Sequence, residues 1–310
     1  MKAAVVDAKA AGVVALREVP EPQPSRDEAV IGVRAISLNR GEVRRAHNAA
    51  DGWRPGWDFA GVVERAAAGG GPPAGTRVVG MLDEGAWAER IAAPLDRIAV
   101  IPDGVSFEQA STLPVAGLTA LFALEKRRSL LARRVLVTGA SGGVGLFALQ
   151  LARMGGAHAT ALVHTPAKRA AAERYAGAVV VGDDAGASKA NGPFDVILES
   201  VGGSTFASAL QLLAPDGTLV TFGTSAERTS TIEVAPFYAR GGASVYGFYL
   251  FHELRYGGES ASRGLERLLA LVAAGRLEAY VDETVPFANI GEAAERFWER
   301  HVTGKLVLTL

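Results

Sequence analysis

Residues 135–145 read VLVTGASGGVG: an apolar strand that runs directly into Gly139, Gly142, Gly143 and Gly145, followed at once by the helical run LFALQLA. Strand, glycines and helix in that order are what a dinucleotide pyrophosphate requires. Glycine lets the backbone turn tightly and approach the phosphates, and the helix start offers unpaired N–H groups and the positive end of its dipole. The stretch 135–152 carries no charge and approaches the ~20 residues needed to cross a bilayer, but its glycine-rich centre breaks it into strand, turn and helix. A glycine cluster also makes ordinary strand-to-helix turns, so the surroundings decide the reading.

Those surroundings alternate. Strands are predicted at 135–138, 159–164, 178–181, 196–199, 218–222 and 244–248, with helices at 143–154, 168–175 and 204–213. Alternation of this kind builds a mostly parallel sheet covered on both faces. The first 110 or so residues differ: short β segments at 3–6, 29–37, 59–64, 77–81, 87–92 and 98–101 lie between loops such as 20–24 and 69–75 (GGGPPAG). This is an all-β pattern. Helical spacing sets in at 107–113 and 115–124, and after Leu250 come amphipathic helices at 264–274 and 292–300 and a β-like tail, 305–309. The division predicted is a discontinuous, mainly β domain of residues 1–116 and 251–310 around a dinucleotide-binding domain of residues 117–250.

About twenty residues after the glycine turn, the second strand ends where an Asp or Glu would hold the ribose hydroxyls of NAD. Here stand His164, Thr165, Lys168 and Arg169. A hydroxyl and two cations would hold a 2′-phosphate by charge-assisted hydrogen bonds, so NADP(H) is favoured over NAD(H). The alternative is that Lys168 and Arg169 coat an exposed helix start, a place where positive charge is unfavourable.

With 32 basic and 33 acidic side chains and no basic run, the chain lacks the electrostatic footprint of a nucleic-acid or membrane binder. A small-molecule partner is expected. Absence of cysteine removes disulfides, thiolate nucleophiles and Cys-based zinc sites. In residues 1–10 the apolar run is broken by Asp7 and Lys9, too short for a signal peptide, so a cytoplasmic location is expected.

The string 138–145 also fits the TGxxxGxG turn of short-chain dehydrogenases, but none of the six tyrosines has the Lys four positions on that their chemistry requires. In order, DFAGVVE (58–64), GAWAE (85–89), IPDGVSFEQASTLPVAGLTALFAL (101–124), the glycine turn, FDVILESVGG (194–203) and GKLVL (304–308) resemble the medium-chain dehydrogenase/reductase superfamily over essentially the whole length, specifically its zinc-free quinone oxidoreductase-like branch. The resemblance implies an α/β protein: a doubly wound parallel Rossmann sheet plus a GroES-like all-β domain, with the active site in the cleft between them.

In zinc-containing relatives a Cys and the His of Gly-His-Glu hold the metal. The corresponding positions here look like Asn39 and Gly56-Trp57-Asp58, so no zinc is expected. What the resemblance implies instead is metal-independent hydride transfer from NADPH to a quinone or another α,β-unsaturated carbonyl. Such a transfer leaves an enolate-like oxygen that needs hydrogen-bond donors and a proton. Asn39 is the first candidate to contact substrate or nicotinamide ribose, its alternative being a cap after the strand. Relatives place a Tyr donor in the loop that is here 45–53, which has none; His47 or solvent would then supply the proton. Cofactor contacts carried over from the family fall on Thr119, on Gly142, Gly143 and Val144, on Gly223 with Thr224, and on Ser200. Where many NADPH users have a Tyr after the third strand, this chain has Gly182 or Asp183, and an inward Asp183 would oppose the phosphate. Trp57 and Tyr249 are expected to line a pocket for a flat substrate. The strand 244–248 is where such relatives pair as dimers, which makes a homodimer plausible here. Two other functions compete: an enoyl reductase for one polyketide-derived intermediate, and an NADPH-binding regulatory protein without turnover.

Overall fold

The computed structural model describes all of residues 1–310. The chain divides into two compact units, Met1–Leu118 with Phe251–Leu310, and Thr119–Leu250.

In chain order, the first unit begins with β1 (Lys2–Val6), β2 (Val14–Glu18), β3 (Glu28–Ser37), α1 (Arg40–Ala46), β4 (Asp58–Arg65), β5 (Arg77–Met81), β6 (Arg90–Pro94), β7 (Ile98–Val100) and α2 (Phe107–Ser111). The chain continues through α3 (Leu118–Leu124), β8 (Arg134–Val137), α4 (Gly143–Met154), β9 (His158–Val163), α5 (Arg169–Glu173), β10 (Ala178–Val181), β11 (Phe194–Glu199), α6 (Gly203–Leu210), β12 (Leu213–Thr221), α7 (Val234–Tyr238) and β13 (Ser244–Gly247). It closes with α8 (Leu250–Tyr256), α9 (Ala261–Ala273), β14 (Val281–Pro286), α10 (Ile290–Trp298) and β15 (Lys305–Thr309).

β1 and β2 form an antiparallel pair. A seven-stranded sheet runs β14-β15-β3-β4-β5-β7, with β6 also on β3; only β14 and β15 are parallel. The ten-residue β3 is its spine because its apolar positions are buried on both faces, and its Ile31 and Ile36 pack with Phe59, Trp87, Leu306 and Leu308. β15 thus returns the end of the chain to the middle of the N-terminal sheet, pairing Val307 with Ser37.

In the second unit six parallel strands follow the order β10-β9-β8-β11-β12-β13. Counted along the chain from β8 this is 3-2-1-4-5-6, the order of a doubly wound dinucleotide fold whose direction reverses between β8 and β11. Leu136, Leu162, Phe194, Ile197, Leu213 and Leu219 make its core. No helix of the chain is long and apolar enough to cross a membrane.

Several predicted segments shift. The strand expected at 87–92 runs Arg90–Pro94 instead, because Trp87 and Glu89 tie to the first strand through Ala4 N–H to Trp87 O at 2.8 Å and Glu89 N–H to Lys2 O at 3.0 Å. The expected loop 45–53 is partly helical, since α1 includes Arg45 and Ala46. β2, β14 and α8 have too little periodicity to be read locally; β14, with alternating acids, exists by pairing with β15. The predicted helix 168–175 is a 3-10 turn, Pro166–Lys168, followed by α5.

Candidate functional site

In the second unit the glycine turn lies at the strand-order reversal. Gly139 has φ +57°, and a side chain there would also meet Ser200 Oγ at 2.8 Å. Gly145 packs α4 against the preceding turn so closely that a Cβ would lie 2.6 Å from Ala140 Cα. Gly142 caps α4 with extended backbone, so the amides of Gly143 and Val144 fall in the first helical turn, where no carbonyl of the helix can receive them. A twelve-residue helix starting at such a turn fits a pyrophosphate.

Ser200, Gly223 and Thr224 gather beside this turn. Ser200 N–H donates to Thr138 Oγ1 at 3.1 Å, Ser225 N–H donates to Ser200 O at 2.9 Å, and Gly223 lies so near that a Cβ would be 3.0 Å from Ser200 O. Thr119 is buried at the head of α3.

Sequence reasoning missed Glu199. This carboxylate at the end of β11 is fully buried; its Oε1 accepts the N–H groups of Val201 at 2.6 Å and Gly202 at 2.9 Å, and its Oε2 accepts the Thr221 hydroxyl at 3.3 Å. Thr138 Oγ1 stands 3.5 Å from Oε1. Burial pushes its pKa up, and these hydrogen bonds oppose the push. The one sequence signal was an acid directly after the apolar run 196–198.

At the end of the second strand the geometry is mixed. His164 Nδ1 lies 3.4 Å from Asp183 Oδ1, both side chains being largely exposed. Asp183 therefore stands beside the expected ribose corner rather than inside the core. Lys168 ends the 3-10 turn, Thr165 precedes it, and Arg169 turns back along its own helix to Glu173 and to Val179 O.

In the first unit Asn39 begins α1 and is almost fully buried in a polar cluster. Its Nδ2 donates to Asp58 Oδ2 at 2.7 Å and to Glu42 Oε1 at 3.1 Å, while its Oδ1 accepts Lys305 Nζ at 2.6 Å. Lys305 also donates to Leu38 O at 2.9 Å and to Asp58 Oδ2 at 3.2 Å. Glu42 accepts the N–H groups of Asn39 at 2.7 Å and Trp57 at 2.6 Å, and Asp58 Oδ1 accepts Val115 N–H at 3.0 Å. Both amide hydrogens of Asn39 are thus engaged, so it has no donor left for a substrate oxygen. Glu42 and Lys305 were not found from sequence, because 263 positions separate them and only the return of β15 joins them. Burial first, then the Asp58 charge, hold the Glu42 carboxyl well above the usual carboxylate range, against the pull of Lys305.

Trp57 is half-buried; its Nε1 donates to Asp83 O at 3.0 Å, and its ring meets Phe251 edge-on at 5.1 Å. His47 ends α1 and stacks on Trp298 at 4.2 Å, with Nε2 buried and unpartnered. Burial lowers its pKa, which favours the neutral ring and weakens it as a proton donor. Tyr249 belongs to the second unit and is 64% exposed. No group of three or more His, Asp or Glu side chains is arranged to hold a metal ion.

Comparison with known proteins bears on both units. Residues 171–308 match the family model of zinc-binding dehydrogenases. The mitochondrial NAD(P)H oxidoreductase RTN4IP1 of Bos taurus is 31% identical over 247 residues, 73% of this chain and 62% of that protein. A highly reducing polyketide synthase of Arthrinium phaeospermum is 30% identical over 94% of this chain and 13% of its own length. The chain thus spans less than two thirds of either relative. Among solved structures, a mycobacterial protein complexed with NADPH superimposes with a TM-score of 0.89 at 27% identity, and a mycobacterial quinone oxidoreductase with 0.88 at 27%, each covered in full by the whole of this chain. The glycine turn at the reversal of a 3-2-1-4-5-6 sheet, the β unit rejoined by the end of the chain and these likenesses agree: the chain carries a zinc-binding dehydrogenase-type domain and is similar over its whole length to the quinone oxidoreductases of the medium-chain dehydrogenase/reductase superfamily.

Proposed function

We propose that this protein is an NADPH-dependent, metal-independent reductase of quinones or other α,β-unsaturated carbonyls. The observation that carries the reading is the glycine turn at the strand-order reversal, with the amides of Gly143 and Val144 presented at the start of α4 and Ser200, Gly223 and Thr224 beside them. The bound cofactor would supply the hydride. Gly142, Gly143 and Val144 would receive the pyrophosphate, Thr165, Lys168 and Arg169 the 2′-phosphate side, and Thr119, Ser200, Gly223 and Thr224 the nicotinamide half. Arg169 would have to exchange Glu173 for the phosphate, and Asp183 works against it; the NADPH preference rests on Lys168 and Arg169 outweighing that one exposed carboxylate.

Metal independence is supported by the chemistry of the donor set. Lys305 brings its own cation to Asn39 and Asp58, with three acceptors around the ammonium, and Trp57 has no lone pair to offer a metal. In our reading Asn39 is a positioning residue and Trp57 offers an aromatic face to a flat acceptor. The proton for the reduced acceptor then comes from solvent rather than from Asn39 or a charged His47.

A second reading, an enoyl reductase for one polyketide-type intermediate, is favoured by the likeness to a polyketide synthase over 94% of this chain. A substrate panel separates the two. NADPH oxidation followed at 340 nm with simple quinones and enones should show broad acceptor-dependent turnover; silence with these and activity on an enoyl thioester would move the function to the second reading. NADPH binding with no acceptor at all would leave a binding protein.

We also infer a homodimer built on β13. That strand ends the six-stranded sheet with every residue exposed, and Val234, Tyr238 and Val245 nearby are 58%, 71% and 43% exposed. Light scattering of the wild type and of Val245→Lys should show a dimer reduced to a monomer.

A further inference from the structure

We propose that Glu199 is a positioning residue whose fixed negative charge makes this site bind the oxidised, cationic nicotinamide in preference to the reduced, neutral one. The inference rests on the dinucleotide reading of the second unit. β11, β8 and β12 are adjacent parallel strands, and Glu199 joins the end of β11 to Thr221 at the end of β12 and approaches Thr138 just past β8. The order of attachment places the cofactor's halves. With the adenosine ribose at the end of β9 and the pyrophosphate on the turn after β8, the remaining half runs over the ends of β11 and β12. That is the ground Glu199 underlies.

Charge is the unexpected part. Val196, Ile197 and Leu198 precede it in the strand, all buried, and a carboxylate buried after them is costly without compensation. Its partners are two backbone N–H groups and hydroxyls, with no Lys or Arg among them, so the bonds stabilise the charge without neutralising it. Two backbone amides converging on one oxygen fix the Ser200–Gly203 turn, and Ser200 in turn receives Ser225 and abuts Gly223. Shape alone could be met by an uncharged residue. An unneutralised charge in low-dielectric surroundings acts on any ligand whose own charge differs between two states.

The test is the affinity of the full chain for NADP⁺ and for NADPH, by calorimetry at one pH, in the wild type, Glu199→Gln and Glu199→Asp. Glu199→Gln keeps the size and most of the bonds but removes the charge. It should weaken NADP⁺ roughly tenfold relative to NADPH. Glu199→Asp keeps the charge and disturbs the bonds, and should weaken both forms while preserving their ratio. Equal losses for both forms in Glu199→Gln, or no loss, would overturn the proposal. If Glu199→Gln fails to fold, a ratio in Glu199→Asp that shifts by as much as tenfold would overturn it equally. A wild type that binds neither form would instead sink the dinucleotide reading itself.

Discussion

Two buried carboxylate sites, one in each unit, solve the same problem differently. In the first unit Asp58 pairs with one ammonium, that of Lys305, within a cluster closed by Glu42, Asn39, Ser37 and backbone amides. In the second, Glu199 has only N–H and O–H donors. A salt-bridged cluster binds distant chain segments, here β15, the start of α1 and β4, and fails badly when its cation is removed. A carboxylate held by donors of its own turn can lose its charge and keep its geometry, which suits a site whose field matters more than its strength. The comparison predicts that charge removal in the first unit reads out as stability, and in the second as ligand preference.

The largest effect should come from Lys305→Met. Buried Asp58 would lose its cation, and urea unfolding should show a loss of about 3–5 kcal/mol; a loss below about 1 kcal/mol would mean that water reaches the cluster and that the two sites are alike. Next comes Gly145→Ala. The added methyl must displace α4 from Ala140, so we expect about 1–3 kcal/mol of destabilisation together with loss of NADPH binding by fluorescence titration. Unchanged binding would detach the glycine turn from the cofactor.

Smaller, and specific to the first unit, is the pH dependence of Glu42. A carboxyl raised in the folded state binds its proton more tightly there than in the unfolded chain. Its stabilisation is complete below the ordinary Glu value near 4.5 and is lost as pH rises through the folded value. Unfolding of the wild type followed as pH rises from the ordinary Glu value should therefore show falling stability from this group, between that value and the raised one. Glu42→Gln should flatten that slope; an identical slope in both proteins would assign it elsewhere. Smallest is Arg169→Ala. Its exposed pair with Glu173 contributes little to folding, and NADPH affinity should fall about fivefold with NADH affinity unchanged. Equal changes for both cofactors would remove Arg169 from the 2′-phosphate, and a parallel gain of NADPH affinity in Asp183→Asn would confirm that the exposed carboxylate opposes it.

Legibility in the sequence followed how local each feature is. β5, β10, α4 and β15 fall on the predicted residues because each carries its own pattern: short apolar runs, or a glycine cap followed by an apolar helix face. α1 was invisible, since RGEVRRA has under two turns and only Val43 and Ala46 to bury besides Glu42; it is held by the acid reaching back to Asn39 and across to Trp57. Asn39 was legible as a position but not as a role, because its partners Asp58 and Lys305 are brought to it from 19 and 266 residues away.

By itself, the order of strand, glycines and helix determined that a parallel, doubly wound sheet would form around residues 135–145, because tight turns and apolar alternation are consequences of neighbouring residues. Only the tertiary structure decided which charges are buried and what they hold. It engaged both amide hydrogens of Asn39, brought Lys305 to Asp58, and set Glu199 beside the strand-order reversal without a cation. The physical reason is that a charge's partners are chosen by sheet pairing across the whole chain, and burial, which sets what a charge can do, exists only once that pairing is complete.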